Sequence, residues 1–192
     1  DELKWLSFGS MAPGLMEHPR FTRSELIPML QEWGALEDTI VMQTVPMEQK
    51  SPRALRLQVR ESWNLDELGG RYRRFLSQFR PLWRELQSDD TLSPEECLTV
   101  RILLIHEYRK ILLRDPILPD ELLPGDWEGR SAKQLCRNLY RQIYVRAEQW
   151  LDETLENASG PLPGPGEKFY RRFGGLRDVA SKTDFTTERE MS

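Results

Sequence analysis

A chain of 192 residues with a net charge of −4 is too acidic to bind nucleic acid over its whole surface, because phosphate contacts demand a local excess of Lys and Arg. Its longest unbroken apolar run, Ile102 to Ile105, falls far short of the ~20 residues of a membrane-spanning helix. No charged-then-apolar leader precedes it, so a cytoplasmic setting without a membrane partner is expected.

The chain starts at Asp1 rather than Met and moves at once into strand-like sequence, which reads as a fragment or processed product. Leu3 to Phe8 reads as a strand closed by Gly9, and Thr39 to Val45 as a second ended by Pro46. Between them Thr22-Arg23-Ser24-Glu25 forms a capping box, opening a helix to about Trp33 that Pro28 should shorten or kink. The expected unit is strand, helix, strand. Its edges call for further strands, from upstream sequence or from a dimer partner.

From Asp66 the pattern changes. Leu68, Tyr72, Phe75, Leu76, Phe79, Leu82, Trp83 and Leu86 recur at three- and four-residue steps, with Arg71, Arg73, Arg74, Arg80 and Arg84 on the remaining surface. Ser93-Pro94-Glu95-Glu96 is a second capping box, and helix follows from Cys97 to about Arg114, where Asp115-Pro116 stops it. The stretch from Leu118 to Pro124 can hold only a turn or a short helix. A third long helix is expected from Ser131 to Leu155, with Leu135, Cys136, Leu139, Tyr140, Ile143, Ala147, Trp150 and Leu151 on one stripe. Three such helices form a bundle. Glycines and prolines from Gly160 to Gly166 end regular structure, but Phe169, Tyr170, Phe173 and Leu176 are apolar enough to dock on the bundle. The polar stretch from Asp178 to Ser192 reads as disordered.

Chemistry-bearing residues are sparse. His18 and His106 are the only histidines, and no Ser or Cys lies in a recognisable nucleophile motif, so no catalytic site is assigned. Cys97 and Cys136 sit on apolar helix faces, which favours buried thiols over a disulfide or zinc. Asp115, Asp120, Glu121 and Asp126 lack the spacing of a calcium loop and read as capping and solvation, so no metal is expected. Gly164 and Gly166, flanked by prolines, mark a linker rather than a phosphate cradle. The arginine face from Arg71 to Arg84 is either a solvated surface or a phosphate clamp. His106 beside Arg109 is either a buried, hydrogen-bonded histidine or a contact for a ligand or subunit. Trp127 is either a core plug or a pocket wall.

Three stretches resemble the PaaX family of regulators. Trp5-Leu6-Ser7-Phe8-Gly9-Ser10-Met11-Ala12-Pro13-Gly14-Leu15 is similar to that family's G-F-G-x-L-A-P-G segment, with Ser7 in place of its first glycine. Trp63-Asn64-Leu65-Asp66, running into Arg71-Tyr72-Arg73-Arg74-Phe75, resembles its W-x-L-D helix start. Leu118-Pro119-Asp120-Glu121-Leu122-Leu123-Pro124-Gly125-Asp126-Trp127-Glu128-Gly129 is similar to L-P-x-E-L-L-P-x-D-W-P-G, with Glu128 where proline is usual.

The resemblance implies a cytoplasmic repressor of phenylacetate catabolism with an N-terminal winged helix-turn-helix, a ferredoxin-like (Cas2-like) middle domain and a helical C-terminal domain. Such a repressor binds operator DNA and releases it on binding phenylacetyl-CoA. This chain lacks a candidate recognition helix, so DNA contact is expected only through a missing N-terminal domain. The expected fold class is α+β: a partial ferredoxin-like domain over residues 1–62, a helical domain over 63–177 and a disordered tail over 178–192. The chain is expected to be a homodimer that binds the acyl-CoA effector, with Arg71, Arg74, His106, Arg109 and Trp127 as ligand candidates and no cofactor. The alternatives are an acyl-CoA-binding or thioester-processing metabolic enzyme, or a purely structural dimerisation fragment.

Overall fold

The computed structural model describes residues 2–44, 52–88, 92–157, 160–161 and 163–176. Its composition is α+β, mainly helical with two small antiparallel two-stranded sheets. The backbone groups into two compact units, Asp1–Gly69 with Leu112–Trp127 and Gly70–Ile111 with Glu128–Ser192.

In the first unit, Leu3 to Phe8 does not form the expected strand. Helix α1 (Glu2–Trp5) is closed by hydrogen bonds from Phe8 N to Leu3 O, 3.0 Å, and from Ser7 N to Lys4 O, 3.1 Å. That pair of bonds is a Schellman closure, and Ser7 occupies its left-handed position at φ 66°. Satisfying the helix-end carbonyls in this way removes the preceding residues from any sheet. Strand β1 (Gly9–Ala12) begins only afterwards and pairs with β2 (Leu15–Glu17), with Gly9 opposite Glu17 and Ser10 opposite Met16. Gly14, at φ 76°, makes the turn between them. The first strand therefore finds its partner in the next few residues. Residues 39–44 have no regular structure, and Val45 and Pro46 lie outside the described residues. A strand, helix, strand arrangement is not formed by the described part of this segment.

Helix α2 (Arg23–Glu32) starts where the first capping box predicts. The Glu25 carboxylate accepts from Thr22 N, 2.8 Å, and Thr22 Oγ1, 2.6 Å, and Pro28 lies inside the helix without ending it. Helix α3 (Pro52–Ser62), which the periodicity reading overlooked, packs on β1 and on the 3-10 turn Asp120–Leu122. Trp63 fixes this packing, donating from Nε1 to the Ser7 carbonyl at 2.8 Å while its ring covers Gly9. Asn64, at φ 45°, ends α3. Its side chain then exchanges hydrogen bonds with Glu67 in the first turn of α4 (Leu65–Ser88).

The second unit is the expected three-helix bundle. Tyr72, Phe75, Leu76, Phe79 and Leu86 of α4 are buried, as are Cys97, Leu104, Tyr108 and Ile111 of α5 (Pro94–Leu112). Helix α6 (Glu128–Thr154) starts three residues before the expected Ser131 and buries Ala132, Leu135, Cys136, Leu139, Tyr140, Ile143, Tyr144 and Ala147. Pairwise links tie the helices together. Phe75 meets Tyr108 at 5.4 Å between ring centres, Arg101 pairs with Glu148, and Arg73 pairs with Glu128. The second capping box forms in full, with Glu96 N donating to Ser93 Oγ, 3.3 Å, and the Glu96 carboxylate accepting from Ser93 N, 2.8 Å.

The aromatic segment after the glycine-proline stretch docks as predicted. A minimal hairpin of β3 (Glu156–Asn157) and β4 (Gly160–Pro161) leads toward α7 (Glu167–Tyr170). Phe173 packs 4.7 Å from Tyr140, Phe169 6.2 Å from Tyr144, and Leu176 is fully buried. Tyr144 OH donates to the Leu176 carbonyl at 2.6 Å. The tail from Asp178 to Ser192 lies outside the described residues. Among the described residues no helix is long and apolar enough to cross a membrane.

Candidate functional site

The first unit contains an open cleft of about 390 Å³, toward the lower end of the roughly 300–1,000 Å³ typical of ligand pockets. Two segments about ninety residues apart in sequence form it. One runs from Trp5 through Glu25, and the other is the turn from Leu112 to Ile117. Arg20 joins them, donating from Nη2 to the Pro116 carbonyl at 3.2 Å.

The apolar side of the cleft carries large side chains left in water. Trp5 is 78 % exposed, Leu113 59 % and Ile117 58 %. Ile117 also sits at φ 49°, a left-handed conformation that a β-branched side chain rarely adopts and that costs on the order of 1–3 kcal/mol. Asp115 holds it there, its Oδ1 accepting from Ile117 N at 2.7 Å. Surrounding structure thus enforces an unfavourable backbone to keep an apolar side chain at the surface.

The polar side is organised around His18. Its Nδ1 accepts the backbone N–H groups of Arg20 and Phe21, each at 3.1 Å, so in the neutral ring the proton resides on Nε2. The ring packs edge-on to Phe21 at 4.7 Å and lies 5.0 Å from Phe8. Burial first, and then the neighbouring Arg20 charge, hold its pKa below the usual imidazole value, with Glu25 opposing them. The lining carboxylates of Glu25 and Asp115 already accept local hydrogen bonds. The cleft therefore offers an aromatic and aliphatic wall, a neutral imidazole and one guanidinium.

The residues singled out from sequence lie elsewhere. Arg71 and Arg74 are on α4 and His106 and Arg109 on α5, all in the second unit, while Trp127 belongs to the first. Arg74 and Arg109 are exposed and Arg71 is half-buried. The buried reading of His106 is overturned: its side chain is 63 % exposed, with Nε2 3.8 Å from the Glu107 carboxylate. It falls on the solvent side of α5, between Ile102 and Arg109, whereas Leu104, Tyr108 and Ile111 take the inward face. Trp127 is buried, at 7 % exposure. None of these residues lines the cleft.

Residues 63–153 match the family model described as the PaaX-like protein C-terminal domain. The chain carries a PaaX-like C-terminal domain. The transcriptional repressor PaaX of Escherichia coli strain K12 is 39 % identical over 176 residues, covering 91 % of this chain and 56 % of the relative. The chain thus spans little more than half the length of that repressor.

The PaaX-like domain begins at Trp63, whose indole anchors the Schellman closure of α1, and runs through α4, α5 and α6 almost to the end of α6. Arg71, Arg74, His106, Arg109 and Trp127 all fall within it. Of the cleft, Leu112, Leu113, Asp115, Pro116 and Ile117 lie inside the PaaX-like domain, and Trp5 to Glu25 precede it. Sequence periodicity had no means of finding this site. Its one local signal was Asp115-Pro116-Ile117, an Asp-Pro turn followed by an apolar residue that no helix or strand pattern accounts for.

Proposed function

We propose that this chain is the effector-sensing and assembly part of a transcriptional repressor of phenylacetate catabolism. The observation that carries this reading is 39 % identity across 91 % of the chain to a protein named as the transcriptional repressor PaaX. The whole protein would read a roughly palindromic operator as a dimer through a winged helix-turn-helix, and that relative's greater length leaves room for one. It would also complete a ferredoxin-like middle domain and act in the cytoplasm.

In this reading phenylacetyl-CoA releases the DNA. It does so by binding more tightly to a dimer geometry that misplaces the readers, since a ligand without differential affinity shifts no equilibrium. Arg71, Arg74, His106 and Arg109 on α4 and α5 would meet the coenzyme phosphates. Trp127 contributes from the buried side of the loop that precedes α6. The regulator reading is preferred to the enzyme reading because the relative is named a transcriptional repressor.

Titration of the chain with phenylacetyl-CoA, phenylacetate and CoA, followed by tryptophan fluorescence, tests the proposal. Saturable binding of the ester without turnover is the expected result, together with a dimer in sedimentation. Hydrolysis of the ester would establish an enzyme instead. A dimer that responds to none of the three would leave only a structural assembly fragment.

A further inference from the structure

The second unit gathers cations on one side of α6. Between Gly129 and Ala147 that helix contains no Asp or Glu, and Lys133, Arg137 and Arg141 recur every four residues, which sets them in one stripe along its surface. Lys133 and Arg137 are exposed and Arg141 is half-buried. Like charges at this spacing repel from turn to turn and weaken the helix that carries them. The docked segment adds more of the same sign. Tyr140 and Tyr144 each stand three residues beyond an arginine of the stripe and therefore next to it, and Phe173 and Phe169 pack on them at 4.7 and 6.2 Å. This packing carries the exposed Lys168, Arg171 and Arg172 to the flank of α6 that holds the stripe. Arg172 is pinned over the Phe169 ring, 5.4 Å from its centre.

Among the described residues none of these six cations enters an ion pair, whereas Arg73 and Arg101 of the same unit each pair with a glutamate. Charges that a fold brings together without neutralising them attract an anion from outside. Two observations select a nucleic acid over an acidic protein. The stripe from Lys133 to Arg141 is about 12 Å long, a distance over which one strand of duplex DNA carries three or four phosphates. Among the described residues no large apolar side chain is exposed on α6 or in the 163–176 segment, and a protein interface needs an apolar core inside its polar rim.

We propose that this face of the second unit, built by α6 and the segment docked on it, holds the sugar-phosphate backbone of duplex DNA. The proposal rests on the regulator reading and adds to it a second contact, separate from the reader of base sequence. Backbone contacts of this kind fix orientation and add affinity without carrying sequence information.

The test titrates the 192-residue chain with a short fluorescent DNA duplex of arbitrary sequence and follows anisotropy from low to physiological salt. Arg137→Gln combined with Arg171→Gln removes one cation from each element of the face. Arg23→Gln combined with Arg56→Gln removes the same charge from exposed positions of the first unit. Circular dichroism checks the fold, and Lys133→Gln with Lys168→Gln replaces the first pair if it fails to fold. The expected result is salt-dependent binding by the parent chain, weakened about tenfold in the face variant with a log–log salt slope shallower by about two, and unchanged in the control. Equal losses in the two double variants would reduce the effect to net charge and overturn the site. Polyglutamate that binds the face more tightly than the duplex does would replace DNA by an acidic protein. Absence of duplex binding by the parent chain at low salt overturns the proposal. The regulator reading then stands if phenylacetyl-CoA still binds the chain, and falls as well if it does not.

Discussion

Trp63 donates its indole N–H to the carbonyl of Ser7 at 2.8 Å, and Ser7 is the residue that closes α1 in the left-handed region, at φ 66°. A serine there bears a steric cost that glycine does not. Ser7→Gly is expected to stabilise the chain by about 0.5–1 kcal/mol, because the native conformation relaxes even though the unfolded chain gains freedom. Urea denaturation at unchanged slope measures it, and a destabilised variant would show that the left-handed closure is not formed. Two residues on, space is the limit. A Cβ at Gly9 would lie 2.7 Å from the Trp63 ring, so Gly9→Ala should cost about 1–3 kcal/mol.

Tyr144→Phe removes the donor to the Leu176 carbonyl, a buried bond of 2.6 Å. An orphaned buried acceptor costs about 1–3 kcal/mol, and the loss should fall on the 163–176 segment more than on the bundle. Limited proteolysis should therefore cut near Phe169 to Leu176 faster in the variant, with the helical signal retained. Equal cleavage rates would show that the aromatic contacts alone hold the segment.

His18 sets a pH dependence. Its folded pKa lies below the ordinary value of 6.5, so the unfolded chain takes up a proton before the folded one does. Stability is full above about pH 6.5 and declines as the pH falls through the lowered folded value. Imidazole proton shifts in NMR should titrate with a midpoint under that of a free histidine. A midpoint above it would mean that Nδ1 does not accept the two amides. Glu25 and Glu96, whose pKa values their capping bonds lower, act separately: their contribution is present above the ordinary carboxylate value of 4.5 and lost in more acid solution.

Burial pushes the Cys136 thiol up to about 12. Cys97, like Cys136, has no exposed surface. At pH 8 neither should react with iodoacetamide in the folded chain, and both should react once it is unfolded, as mass spectrometry can count. Rapid native labelling of Cys136 would place it outside the α6 core.

Legibility from sequence followed the range of the interactions. Helices α4, α5 and α6 bury one stripe each, so their repeats of three and four residues announced both the helices and the bundle core. Phe169, Tyr170, Phe173 and Leu176 were legible for a simpler reason, since four large apolar side chains in a polar context need a surface to cover. The first unit was misread where local rules compete. Leu3 to Phe8 has strand-like residues, but a Schellman closure at a serine ends it as a helix. Helix α3 was missed although Leu55 and Val59 are spaced for one, because charged residues surround them. The cleft was invisible because Arg20 and Pro116 meet across ninety-six residues. The exposure of His106 could not be read from sequence because α5 carries Ile102 and Leu103 on its exposed face as well as Leu104 on its buried one.

The segment that ends at Leu176 has a mechanical consequence. Leu176 engages Tyr144, Phe173 engages Tyr140, and Phe169 lies against both. A load applied from the carboxyl end therefore meets these contacts in series and peels the segment away, instead of shearing all of them at once. The Tyr144 hydrogen bond carries the force first, the Phe173 ring next and the Phe169 ring last. Only then does tension along the chain reach the β3–β4 hairpin and, beyond it, the last turn of α6, so the segment yields in small steps before α6 is pulled from its end.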